Sequence, residues 1–155
     1  KKLPENLRFD TSIVKTYAEQ LIRLNREPES EALLRKSLTQ HWHDELISLY
    51  GTVKGNKPSE QLIIAENWLK ERPNNATLLI ALGRLSLRNK LWYKALEYFE
   101  ASKRLQASQE SHAELCRLTL HMNLDANPHK LIFGAMIQSL NLPELPMPGD
   151  SALTP

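Results

Sequence analysis

The sequence predicts an all-α protein built from consecutive helical hairpins. Three observations lead there. Apolar residues recur at helical spacing through most of the chain, and the alternation expected of a half-buried strand is absent. Only five glycines occur, and the nine prolines fall outside the periodic stretches. Short turns separate those stretches, as in a helix-on-helix architecture.

Each element has its own signals. Residues 1–10 form an irregular lead containing Pro4. A first helix is expected over Thr11 to Arg26, capped by Asp10 or Thr11, with Ile13, Tyr17, Leu21 and Leu24 as its apolar stripe. Glu27-Pro28 ends it. A second follows over Glu29 to Gln40, with Ala32, Leu33, Lys36 and Leu38 along it. A third, Asp44 to Val53, carries Leu46, Ile47, Leu49 and Tyr50. Pro58 suits the first turn of a fourth helix, Ser59 to Arg72, which Pro73-Asn74-Asn75 closes. Ala76 to Arg88, Leu91 to Leu105, Gln109 to Met122 and Pro128 to Leu140 complete the set. The repeat domain thus spans residues 11–140. Residues 141–155 hold too much proline to continue a helix and are expected to be extended or disordered, or to lie along the last helix and cap the array.

Bulk composition narrows the function classes. The chain has 155 residues, 41% apolar and 25% charged, ordinary for a globular domain. A net charge of +2 gives nucleic-acid binding no support. One cysteine, Cys116, excludes an intrachain disulfide framework. No apolar run reaches the roughly 18 residues of a membrane-spanning helix. The chain opens Lys1-Lys2-Leu3-Pro4 without Met, which reads as a fragment, so the lack of an anchor or targeting segment in it says little about the full protein.

Leu82-Gly83 recurs as Leu115-Cys116, 33 residues on, and as Tyr50-Gly51, 32 residues back. A helix-turn-helix period of about 34 residues is the tetratricopeptide (TPR) spacing. Residues 76–102 resemble that family: Leu79, Leu82, Gly83, Ala95, Phe99 and Ser102 fall on its large and small positions, and Pro73-Asn74-Asn75 on the link between units. The resemblance implies a TPR-like solenoid of about four repeats with a Pro-rich C-terminal tail. Gly83 and Ala95 would lie where the two helix axes approach, with Phe99 beside them, because a mid-helix glycine costs about 1 kcal/mol and needs a packing reason.

The stretch also resembles the C-terminal TPR region of the HemY-type haem-biogenesis family of bacterial inner-membrane proteins. Leu49-Tyr50-Gly51, Ala65-Glu66-Asn67-Trp68-Leu69, Leu82-Gly83-Arg84-Leu85 and Leu91-Trp92-Tyr93-Lys94-Ala95 carry that likeness. It implies two N-terminal membrane-spanning helices in the full protein, absent from this sequence, and a domain beside the inner membrane, on the cytoplasmic side, linked to haem and porphyrin biosynthesis, with protein partners among the enzymes of that synthesis. It brings no catalytic residues. A flavoprotein identity is rejected, because no GxGxxG occurs.

In a TPR array the first helix of each hairpin lines the concave groove. Those positions are Lys15, Glu19 and Arg23, then Ser48 and Thr52, then Ile80, Arg84, Leu87 and Arg88, then Ala113, Arg117 and His121. Arg84, Arg88, Arg117 and His121 would form a basic ladder over an apolar floor of Ile80 and Leu87, suited to an acidic peptide or to porphyrin propionates. The competing reading is a solvated helix face whose charges pair locally.

Other candidates read as structural. His112 and Cys116 share a helix face, yet Cys116 aligns with Gly83 and is expected buried. His41 and His43 flank Trp42 in a turn and do not face each other. Trp42 is expected to fill a hinge, and Trp68 and Trp92 are expected to be structural, Trp92 closing a hairpin end, with a partner-binding aromatic patch as the alternative. No metal site, resident cofactor or catalytic signature emerges. The function expected is a non-catalytic interaction scaffold. A direct haem or porphyrin carrier is the alternative, and self-association through an exposed end face is a third reading.

Overall fold

The computed structural model describes residues 10–122 and 140–149. Seven α-helices and no strand occur among them. They are α1 (Thr11–Arg23), α2 (Glu27–Gln40), α3 (Asp44–Tyr50), α4 (Pro58–Glu71), α5 (Ala76–Arg88), α6 (Trp92–Leu105) and α7 (Gln109–Met122). The expected helix from Pro128 to Leu140 lies, save its last residue, outside the described residues, as do most of the N-terminal lead and the last six residues. Among the described residues no helix is long and apolar enough to cross a membrane.

Local chemistry places the ends. Asp10 caps α1 by accepting from the backbone N–H of Ser12 at 3.0 Å and of Ile13 at 3.2 Å. Asn75 caps α5 by accepting from Leu78 N–H at 2.9 Å. Pro28 and Pro58 sit in the first turns of α2 and α4, where a missing N–H costs nothing. Pro28 therefore starts α2; α1 has already ended at a turn centred on Asn25, whose φ is 58°.

That turn recurs 65 residues later. Arg26 N–H reaches Leu21 carbonyl and Asn25 N–H reaches Ile22 carbonyl; Leu91 N–H reaches Ser86 carbonyl and Lys90 N–H, with φ 60°, reaches Leu87 carbonyl. Both are left-handed helix stops of the same pattern. The offset carries through both hairpins. Asp10 matches Asn75, Ala18 matches Gly83, Ser30 matches Ala95, Leu34 matches Phe99 and Ser37 matches Ser102, and from Ala18 onward every member is buried. The buried stripe of α1 is accordingly Val14, Ala18 and Leu21, one position round from the stripe expected, and Leu24 is 64% exposed. In α2 the contact points are Ser30, Leu34, Ser37 and Leu38, and Ser30 Oγ donates to Ala18 carbonyl at 3.0 Å. Serines at close helix crossings take positions that apolar counting passes over.

Successive helices stack. α1 and α2 pack on each other and on α3; α3 and α4 both pack on α5; α5 pairs with α6, and α6 with α7. The second unit departs from the repeat. α3 stops at Tyr50, three residues short of the expected end, and Gly51 is its cap. The chain from 50 to 55 is held by the buried side chain of Gln61 instead. Its amide donates to the carbonyls of Tyr50 and Val53 at 3.2 and 2.9 Å and accepts from Gly55 N–H at 3.0 Å. Gly51 is thus not the equivalent of Gly83. A β-carbon on Gly51 would lie 2.7 Å from the Cα of Ala81, on the next hairpin; one on Gly83 would lie 2.3 Å from Phe99 Cε1, inside its own hairpin.

Two apolar clusters result. The larger joins α1 to α5 around Tyr50, Leu34, Leu82 and Trp68. The smaller joins Ile80 and Leu87 of α5, Ala95 and Phe99 of α6, Leu118 of α7, and Leu145 and Met147 of the C-terminal segment.

Candidate functional site

Helix α5 is buried at every position from Leu78 to Leu87. A helix buried all round needs neighbours on all sides. Helices α3, α4 and α6 supply three of them. The face left over carries Ile80, Arg84 and Leu87, positions read from the sequence as lining the groove. It is covered as well: Ile80 is 7% exposed, Arg84 4% and Leu87 0%.

Two groups provide the cover. The first is a charge cluster. Glu114 of α7, fully buried, accepts from Arg84 Nε at 2.7 Å and from Arg117 Nη2 at 2.5 Å. Arg84 Nη1 also reaches Glu110 at 3.2 Å. Two guanidiniums therefore meet two carboxylates, and the cluster is balanced. The second group is the C-terminal segment. Residues 142–147 run without helix or turn, Leu145 and Met147 are buried, and Glu144, just before them, is exposed. Arg117 Nη1 donates to Pro143 carbonyl at 2.6 Å and fixes the segment against α7.

No family model, curated protein or solved structure matches the chain.

The expected basic ladder is therefore not an open cationic surface. Arg84 and Arg117 do converge, but on Glu114. Arg88 diverges toward the α3–α4 connection, where Nη2 donates to Thr52 carbonyl at 3.0 Å. Its Nε is buried without a hydrogen-bond partner among the described residues. Burial draws Arg88 below the usual arginine range, opposed by the charge of Glu27. His121 is half-buried, its Nδ1 2.8 Å from Arg117 carbonyl. The reason for the correction is Glu114. It turns inward to meet arginines 30 and 3 residues away. Of the remaining groove positions, Lys15 forms an exposed pair with Glu45 at 3.6 Å, and Ala113 is buried.

Cys116 is exposed, against the expectation of a buried thiol. Its register position would face an opposing helix, as Gly83 faces Phe99, and the stretch expected to supply that helix lies outside the described residues. His112, four residues earlier, is exposed too. Among the described residues no group of three or more His, Cys, Asp and Glu side chains could hold a metal ion. His43 caps α3, its Nδ1 accepting from Glu45 N–H at 3.2 Å. Trp42 donates to Asp44 at 3.1 Å and meets Trp68 edge-on, with Arg72 stacked 4.2 Å from its ring centre. Trp68 is in turn edge-on to Tyr50. These aromatics join the first two hairpins to each other. Trp92 is half-buried against the smaller cluster.

One further cavity lies between α2 and α4, about 260 Å³, lined by Glu31, Arg35, Asn56, Lys57, Glu60 and Gln61 among others. Its charges are satisfied within it: Arg35 pairs with Glu31 at 3.3 Å and Lys57 with Glu60 at 3.2 Å.

Proposed function

We propose that the chain is a TPR-like solenoid of about four hairpins that acts as a non-catalytic interaction scaffold. In keeping with its resemblance to the HemY-type family, it would organise enzymes of haem and porphyrin biosynthesis at the cytoplasmic face of the bacterial inner membrane. The observation that carries the scaffold reading is the inner face of α5 and α7, where an extended polypeptide segment lies on Ile80, Leu87 and Arg117. A surface that seats an extended chain through side-chain burial and one backbone carbonyl has what peptide recognition requires. The 65-residue equivalence of the first and third hairpins supports the repeat reading.

The carrier alternative needs uncompensated cations for propionates, and the two arginines nearest each other are balanced by Glu110 and Glu114. Calorimetric titration of purified late haem-synthesis enzymes, one at a time, onto the chain tests the scaffold reading, with spectroscopic titrations of haem and free-base porphyrin beside it. Saturable binding of an enzyme without tetrapyrrole binding is expected. Saturable haem binding at low micromolar concentration, with no enzyme bound, would replace the scaffold by the carrier.

A further inference from the structure

We propose that the inner face of α5 and α7 is a docking groove for an extended segment with two inward apolar side chains two residues apart and prolines around them. Residues 142–148 of the chain are its resident occupant, and a partner segment of the same chemistry binds by displacing them. The inference rests on the scaffold reading and names what the scaffold holds.

The seated segment defines the ligand. Leu142-Pro143-Glu144-Leu145-Pro146-Met147-Pro148 places Leu145 and Met147 inward at 7% and 4% exposure and Glu144 outward. That is the period of an extended chain with one buried edge. The face beneath it is helical, and a helix has no free ladder of carbonyls to receive the N–H groups of an extended segment. Pro143, Pro146 and Pro148 remove three of those donors, since proline has no N–H. They also hold the chain extended before it binds, which lowers the ordering cost. Arg117 grips a backbone carbonyl and not a side chain, so this contact makes no demand on residue identity. Specificity falls to the two apolar positions.

The charge balance sets the partner's character. Glu114 accepts from both arginines, with Glu110 on the second edge of Arg84, so no net positive field attracts an acidic ligand. Complex formation should depend little on salt. Because the resident segment belongs to the same chain, it competes intramolecularly. A free segment therefore meets a groove already filled.

The test uses a fluorescent decapeptide of residues 141–150 and anisotropy. It is titrated onto the 155-residue chain and onto the Leu145→Asp/Met147→Asp variant, which expels the resident segment. At least tenfold tighter binding to the variant is expected, about equal at 0.1 and 1 M salt, and lost when the peptide carries the same two aspartates. A variant with the helical circular dichroism of the parent that binds no tighter than the parent overturns the proposal. A second measurement removes dependence on that variant's fold. In the unaltered chain with methyl-labelled methionine, saturating unlabelled peptide should move the Met147 methyl resonance to its position in the free peptide. A resonance that stays put at several millimolar peptide overturns displacement. Peptide displacement without binding of any haem-synthesis enzyme keeps the groove and removes the haem role. Enzyme binding that leaves Met147 in place keeps the scaffold and removes this groove as its site.

Discussion

Replacing Glu114 by alanine removes a fully buried carboxylate shared by two buried guanidiniums. Arg84 and Arg117 side chains are 5% and 9% exposed, and Glu114 is 0%. After the substitution Arg84 keeps Glu110, which is 56% exposed, and Arg117 keeps the carbonyl of Pro143. Breaking a buried ion pair from one side costs about 3–5 kcal/mol, here because Arg117 loses its carboxylate without regaining water. That is a large share of the roughly 5–15 kcal/mol that holds a domain together. Urea unfolding followed by circular dichroism reads it. With a slope of about 2 kcal/mol per molar urea, the midpoint should fall by about 1.5–2.5 M. Replacing the whole cluster, as Arg84→Met/Glu114→Leu/Arg117→Met, should be neutral or raise stability by about 1–4 kcal/mol, since no charge then stays buried. A midpoint shift below about 0.5 M for Glu114→Ala would mean that water reaches the cluster, and the argument for a covered, balanced groove would fail with it.

Four other outcomes are expected. Gly51→Ala should destabilise by about 1–3 kcal/mol through overpacking, because the new methyl meets the backbone of Ala81 and the φ of −64° shows that glycine serves space and not conformation. Gly83→Ala should cost less in a thermal melt, since about 1 kcal/mol of helix propensity is recovered and the obstacle is the Phe99 ring; Phe99→Leu in the same chain should restore part of the loss. Gln61→Leu should cost about 3 kcal/mol by leaving the chain from 50 to 55 unheld, and amide hydrogen exchange at Gly55 should rise first. The Tyr50 hydroxyl is raised above its ordinary value of 10.0 by burial, then by its hydrogen bond to Glu31, so the folded chain holds a proton that the unfolded chain releases. Stability should therefore be complete below pH 10 and fall as pH rises beyond it. Tyr50→Phe should flatten that alkaline limb; an unchanged limb would assign it elsewhere, Tyr98 being raised in the same direction.

The helices were legible because their signals are local. An Asp or Asn cap acts within three residues, a proline in a first turn within one, and the apolar period within two turns. The small residues at Gly83 and Ala95 were legible too, since a glycine inside a helix costs stability unless something packs on it, and Phe99 does. Ser30 and Ser37 escaped notice because a serine at a helix crossing carries no apolar signal. Ile80, Arg84 and Leu87 do share a face of α5, but the basic ladder expected there is not an open cationic surface. Arg84 and Arg117 could be placed on adjacent helices by counting, whereas Glu114 turns inward only because those two guanidiniums are already there to receive it. The shortening of α3 was equally silent, since it depends on one glutamine side chain reaching three backbone groups across the connection. The sequence by itself determined a stack of helices and the positions where they approach. The tertiary structure decided which charges cancel, where Gly51 meets its neighbour, and that the chain's own proline-rich segment lies on the face left open. Those outcomes join residues far apart in the chain, and no local period or propensity encodes such a contact.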